Sequence, residues 1–240
     1  MKPTTEAGTI LAFGAHPDDI EFGCGGVIAA ETAAGRKVHF VVCSKGESAS
    51  HGTPAIRARE ARAAAKILGA TIEFANLGGD AHFEVQTRYV LALAGIIRRI
   101  RPGSVLAPSL EGNQHPDHSK LGLMVRDALR LARYGGVSEL KSLKPHATGA
   151  LLYYAVSPEA EPAGNKILID VSAQSLLNTW QRAMEAHASQ MATRNYVELQ
   201  LTRARLNGLR SGAGHAIALF PADAPVFNSL TPLTRSARSF

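Results

Sequence analysis

Cysteine is nearly absent: Cys24 and Cys43 are the only two in 240 residues. Two thiols build no disulfide framework, and their spacing matches no zinc motif. Both read as small buried apolar residues. No apolar run approaches the ~20 residues that span a bilayer, so no membrane span is expected. Met1–Gly8 carries one lysine and no apolar core, so no secretory leader is expected and a cytoplasmic protein is. Aromatic residues make up only 6%, and none interleaves with basic residues as a base-stacking surface requires. The formal net charge is +6, yet it is scattered, with nothing longer than pairs such as Arg98–Arg99. It reads as a solvated basic surface first, as an attraction for an anionic small substrate second, and as a nucleic-acid surface last. There is no repeat, no low-complexity tract and no linker, so residues 1–240 are expected to form one domain with a tail over about 225–240. That tail holds Arg235 and Arg238 but no acid from Phe227 on, and reads as a flexible end or an arm laid on another subunit of a homo-oligomer.

Short apolar runs alternate with helical patterns. Thr9–Ala15, Val38–Cys43, Thr71–Ala75 and Ser104–Ala107 read as strands. Gly25–Ala34, Ala55–Leu68, Thr87–Ile100 and His118–Arg133 read as helices, several closed by glycine. This alternation predicts an α/β fold: a Rossmann-like, doubly wound, mainly parallel sheet with helices on both faces. After Ala147 the rhythm changes. Leu151–Val156 and Ile167–Val171 read as added strands, antiparallel to the rest. Ser172–Gln190 and Asn195–Arg210 read as two helices, completing a C-terminal α/β extension.

Two segments carry chemistry: Ala15-His16-Pro17-Asp18-Asp19-Ile20-Glu21 and His115-Pro116-Asp117-His118. Each follows a predicted strand or its loop, and ligands of open parallel sheets bind beyond the carboxyl ends of the strands. The two can therefore meet although some hundred residues separate them. Imidazole and carboxylate are the ligands of catalytic zinc, which keeps an open position. Further carboxylates orient ligating histidines or accept protons. Either segment alone would also suit a hydrogen-bonded turn or helix cap; the pair at corresponding places favours a site. His39 reads as a surface residue within a strand. His51, His82 and His146 fall in loops, and the first two open on the same edge.

AHPDDIE with HPDH resembles the LmbE-like, or PIG-L-type, zinc N-deacetylases. The likeness extends to Gly46 after the second strand, to the R-x-x-E of Arg57 and Glu60, to Asp80 after a glycine pair, and to the H-x-S-Q of His187, Ser189 and Gln190. It implies that His16, Asp19 and His118 bind the metal, Zn²⁺ or another divalent ion such as Fe²⁺. It further implies that Asp18 is the general base, that His115 polarises the carbonyl or acts as acid, and that Asp117 buttresses a histidine. Arg57 and Asp80 are implied to contact the sugar. Residue chemistry alone does not distinguish Asp18 from Asp19.

The implied activity is hydrolysis of the N-acetyl group of an N-acetylglucosamine-type conjugate. The layout is closest to deacetylases of bacillithiol-type synthesis, which act on N-acetylglucosaminyl malate, and the basic balance is compatible with such an anionic partner. Two departures unsettle the substrate: Ile217 stands where relatives carry Glu, and Asn113 where some carry Tyr. Other readings are a metal hydrolase of a different amide and a non-catalytic sugar- or nucleotide-binding protein. The Gly23–Gly26 cluster lacks dinucleotide spacing.

Overall fold

A computed structural model describes residues 8–192, 194–233 and 235–237. Met1–Ala7, where a leader is not expected, and Arg238 of the basic tail lie outside the described residues. Seven strands form one sheet: β1 (Ile10–Gly14), β2 (Val38–Val42), β3 (Thr71–Phe74), β4 (Ser104–Pro108), β5 (Ala150–Tyr154), β6 (Ile167–Asp170) and β7 (Ala216–Pro221). Their order is β3-β2-β1-β4-β5-β7-β6. The first five strands in that order run parallel, and β7 is antiparallel to both β5 and β6.

Among the described residues six α-helices cover the faces: α1 (Asp19–Ala33), α2 (Pro54–Ile67), α3 (Thr87–Ile100), α4 (Pro116–Arg133), α5 (Gln174–Glu185) and α6 (Tyr196–Ser211). Alternate side chains of each strand face opposite sides. Ile10 and Ala12 of β1 join a core with α1, α2, α5 and α6, while Leu11 and Phe13 join a second core with α3 and α4. This is the doubly wound arrangement that the alternation implied. Cys24 and Cys43 are both buried and unpaired, one in each core. Among the described residues no helix is long and apolar enough to cross a membrane.

Three local expectations differ from the structure. Helix α1 begins at Asp19 rather than Gly25. Glycine disfavours helix by about 1 kcal/mol relative to alanine, and here tertiary packing decides. A Cβ added at Gly23 would lie 2.1 Å from Tyr154, at Gly25 2.7 Å from Trp180 and at Gly26 2.7 Å from Ile217, so these glycines let α1 press against β5, α5 and β7. The strand β5, expected to be antiparallel, is parallel to β4; the reversal occurs at β7, which was not foreseen as a strand. Ile217, where Glu was expected, is thus a core residue of β7 against α1. The helix after Ser172 stops at Glu185, and a separate 3₁₀ turn spans Ala188–Gln190.

Candidate active site

The carboxyl ends of β1 and β4 lead into the two His-Pro-Asp segments. After Gly14 the chain turns sharply. Asp18, the residue before α1, has φ 112°, a left-handed conformation that costs a non-glycine residue on the order of 1–3 kcal/mol. The Asp19 carboxylate folds back onto this turn. Its Oδ2 accepts the amides of Ala15 at 2.8 Å and His16 at 2.9 Å, which leaves Oδ1 facing outward, 3.1 Å from His118 Nε2. At β4, His115 precedes α4, and its Nδ1 accepts the Asp117 amide at 3.2 Å. Proline at the first position of α4 suits a helix start, where its missing amide is not needed. His118 then lies in the first turn, beside His16.

His16 is the hub. Its Nδ1 lies 3.2 Å from His118 Nε2 and 3.6 Å from Asp19 Oδ2. Its Nε2 lies 3.0 Å from Asp80 Oδ1 and 3.3 Å from Asp117 Oδ2. Asp117 is held in turn by the amides of Ala81, 2.7 Å, and Phe83, 3.3 Å. The His115 ring packs edge-on to His16, centroids 4.6 Å apart; His16 and His118 are buried, whereas His115 is exposed.

Can these residues hold a metal? A tetrahedral shell with bonds of about 2.0–2.1 Å spaces its ligand atoms about 3.3 Å apart. His118 Nε2 lies 3.2 Å from His16 Nδ1 and 3.1 Å from Asp19 Oδ1, spacings compatible with neighbouring ligands of one ion, whereas the 3.6 Å approach of His16 is to the other Asp19 oxygen, Oδ2. Four carboxylates, Asp18, Asp19, Asp80 and Asp117, crowd two buried imidazoles and one guanidinium, a balance that favours a cation. His115 also offers a nitrogen, either with His16 and His118 or with His16, Asp80 and Asp117. The site is a His/Asp group able to hold a metal ion.

Arg57 lies under the turn, buried. Its Nη2 donates to Pro17 O at 2.9 Å and to Asp18 Oδ2 at 3.2 Å, and Nη1 lies 3.9 Å from Asp80 Oδ2. Gly46 explains itself here: its φ is 69°, and a Cβ would fall 1.8 Å from Arg57 Nη1. Arg57 and Asp80, expected to contact a sugar, are both engaged within the protein; Asp80 also accepts the Ser48 amide at 3.1 Å. Burial pushes the Asp18 carboxyl up, the Asp19 charge pushes it further, and Arg57 pulls it partly back, leaving a pKa of about 6. Burial opposes the ionisation of Asp19 too, but the His118 and His16 rings outweigh it and hold this carboxyl well below the usual range. Burial lowers the pKa of His115, and the neighbouring His16 and His118 lower it further.

Of the loop histidines, His51 and His82 are exposed, and His82 Nδ1 lies 2.7 Å from Asp80 O. His39 bonds to Thr71 and Glu73 on β3. The sequence reading held Glu21 only as the alternative base and gave His187 no role beyond the H-x-S-Q likeness. Both are buried beside the turn, with His187 Nε2 3.5 Å from Glu21 Oε1; the H-x-S-Q pattern was the available signal.

The sequence model of the GlcNAc-PI de-N-acetylase (PIG-L) family matches residues 11–129. The diacetylchitobiose deacetylase of Thermococcus kodakarensis is 27% identical over 202 residues, 79% of this chain and 72% of the relative. The 4-oxalmesaconate hydratase of Pseudomonas putida is 30% identical over 160 residues, 62% of this chain and 60% of the relative. Among solved structures, the conserved protein TT1542 of Thermus thermophilus superposes with a TM-score of 0.81 at 30% identity, covering 95% of this chain and 99% of that one.

Proposed function

The chain belongs to the PIG-L, or LmbE-like, deacetylase family, and from that premise we propose that it is a metal-dependent hydrolase removing the N-acetyl group from an N-acetylglucosamine-type conjugate. One observation carries the reading: the inward groups of His16, Asp19 and His118 converge at ligand spacing with the uncapped carboxylate of Asp18 beside them. Those three residues would hold the ion, Zn²⁺ by donor type, although affinity order does not separate it from Fe²⁺. When bound, the ion supplies Lewis acidity toward water and the amide carbonyl.

The chain's own groups do the proton work. Asp18 takes a proton from the attacking water, whose oxygen bonds to the acetyl carbon. A pKa near neutrality suits a group that must accept that proton and give it up again. His115, the exposed ring of the three, hydrogen-bonds the oxygen on which charge develops. The C–N bond breaks as the nitrogen takes up the proton, and acetate and a free amine leave. Asp117 and Asp80 fix the orientation of His16 through Nε2. Arg57 sets Asp18 in place through Nη2. The C-terminal extension packs onto α1 and belongs to the same functional domain.

The hydratase relative favours a second reading, water addition to an unsaturated acid at the same group. A panel of N-acetylglucosamine conjugates and unsaturated dicarboxylates decides between them, with protein stripped by chelator and reloaded with Zn²⁺ or Fe²⁺. Primary amine released only by the reloaded protein is the expected result. Loss of a dicarboxylate's alkene absorbance without amine release would install the hydratase instead. His118→Ala should lose the ion and all turnover, and full metal occupancy in that variant would overturn the ligand assignment.

A further inference from the structure

Four residues of the segment 180–190 bind the elements that carry the site from behind. Trp180, fully buried, donates its indole N–H to Glu21 O at 2.7 Å. His187, with no exposed surface, sets Nε2 3.5 Å from the carboxylate of the same Glu21. One turn of α1 is thus held by both backbone and side chain, within a few residues of Asp18 and Asp19. Two residues on, Ser189 binds Glu60 twice: its N–H donates to Oε1 at 2.9 Å and its hydroxyl to Oε2 at 2.6 Å. Glu60 lies about one turn beyond Arg57 on α2. Gln190 Nε2 donates to His51 O at 2.9 Å, tying down the loop between β2 and α2. Gly52 in that loop leaves room for the contact, since a Cβ there would lie 2.8 Å from Ser189 Oγ.

The geometry points to a positioning strut: the turn His187–Gln190 locks α1 to α2 and so fixes the Asp18–Arg57 pair on which proton transfer depends. This rests on the deacetylase reading. R-x-x-E and H-x-S-Q, weak signals separately, are then the two halves of one device. In the strut, His187 acts through Glu21 and Ser189 through Glu60. Both His187 ring nitrogens lack a full hydrogen bond. A buried histidine so poorly satisfied costs stability, which fits retention for placement rather than for strength.

Ser189→Ala deletes the hydroxyl contact and keeps the amide contact, with little risk to folding; Ser189→Thr restores the hydroxyl. Hydrogen exchange and steady-state kinetics are measured on metal-loaded wild type and both variants. In Ser189→Ala, amides over residues 46–60 should exchange about five- to tenfold faster, the worth of one hydrogen bond, while those of β1 and β4 stay protected. The kcat should fall on the order of tenfold with KM and metal content unchanged, since small misplacements of reacting groups cost up to about 10²-fold. Ser189→Thr should recover most of both. Unchanged exchange in 46–60 overturns the strut, and so does faster exchange with wild-type kcat. His187→Gln, which keeps a donor near Glu21, should lose less kcat than His187→Ala; equal losses would also count against it. Should wild type release no amine from any conjugate, the deacetylase reading fails instead, and the exchange arm still decides whether the turn locks α2.

Discussion

Two arginines are buried to nearly the same degree, Arg57 at 4% and Arg98 at 2% exposed, and they are used in opposite ways. Arg98, on α3, donates only to backbone carbonyls. Nε reaches Ala132 at 3.0 Å, Nη1 reaches Leu140 at 2.6 Å and Leu143 at 2.9 Å, and Nη2 reaches Tyr134 at 2.6 Å and Leu131 at 3.4 Å. The carbonyls left open at the C-terminus of α4 need donors, and the guanidinium fork supplies them with no carboxylate involved. Arg57 faces acids instead, and its Nε has no partner. One region is saturated and holds the fold. The other is under-satisfied, sits beside the left-handed Asp18, and holds a reactive group in place. Burial alone therefore does not mark a functional residue; incomplete satisfaction among like charges does.

The comparison is tested most severely at Asp18. Asp18→Asn should leave metal content and Tm close to wild type, and the loss of the left-handed strain is small because Asn tolerates that conformation. Its kcat should fall by about 10²-fold or more, the scale of a positioned base. Wild-type kcat in this variant would move the base elsewhere, with Glu21 next in line. Arg57→Lys comes second. A lysine reaches the same place with one compact ammonium and cannot bridge Pro17 O and Asp18 together. The expected loss is on the order of 10-fold in kcat, with Tm within a few degrees of wild type. If KM rose while kcat held, Arg57 would be gripping substrate rather than holding Asp18 in place.

Arg98→Lys inverts the pattern. At least two carbonyls lose their donor, and each buried unsatisfied group costs about 1–3 kcal/mol. For two carbonyls the sum is about 2–6 kcal/mol, or roughly 4–24 °C in Tm for a chain of this size. The kcat of the folded enzyme should not change. A variant with wild-type Tm and reduced kcat would erase the distinction between the two arginines.

How much of this could be read beforehand divides along the same line. The two His-Pro-Asp segments were legible because each packs its chemistry into a few residues at the end of a strand, and strand ends meet by topology. The alternation of periods gave the parallel sheet and both helical layers. What escaped was decided by distant packing. Gly23 speaks locally against a helix that starts before Gly25, and only the close approach of Tyr154 explains why α1 passes through it. β7 is a short run after α6 whose antiparallel place depends on β5 and β6. Nothing local tells that Gly46 opens a slot for the Arg57 guanidinium. Ser189 and Glu60 are 129 residues apart, beyond the reach of any periodicity.

Arg99 provides the smallest effect and the control for both buried arginines. It is the next residue on α3, yet its side chain is 48% exposed. It binds Glu73 of β3 with Nη2 at 2.6 Å and 2.8 Å from the two carboxylate oxygens. Burial is the largest single influence and disfavours the Glu73 charge, but Arg99 and His39 together outweigh it and lower the pKa below the ordinary value. A lowered folded pKa means the pair contributes fully above the unfolded glutamate value, about 4.3. That contribution fades as pH falls through the folded value. Water and salt screen so exposed a pair, and its worth is about 0–1 kcal/mol. Arg99→Gln should thus lower stability at pH 7 by no more than about 1 kcal/mol, by urea unfolding, with kcat unaltered. The difference from wild type should shrink at high salt and toward pH 3. A loss as large as that of Arg98→Lys, or one indifferent to salt and pH, would show that exposure is the wrong axis on which to rank the three arginines. Satisfaction by neutral carbonyls would then no longer account for what Arg98 does.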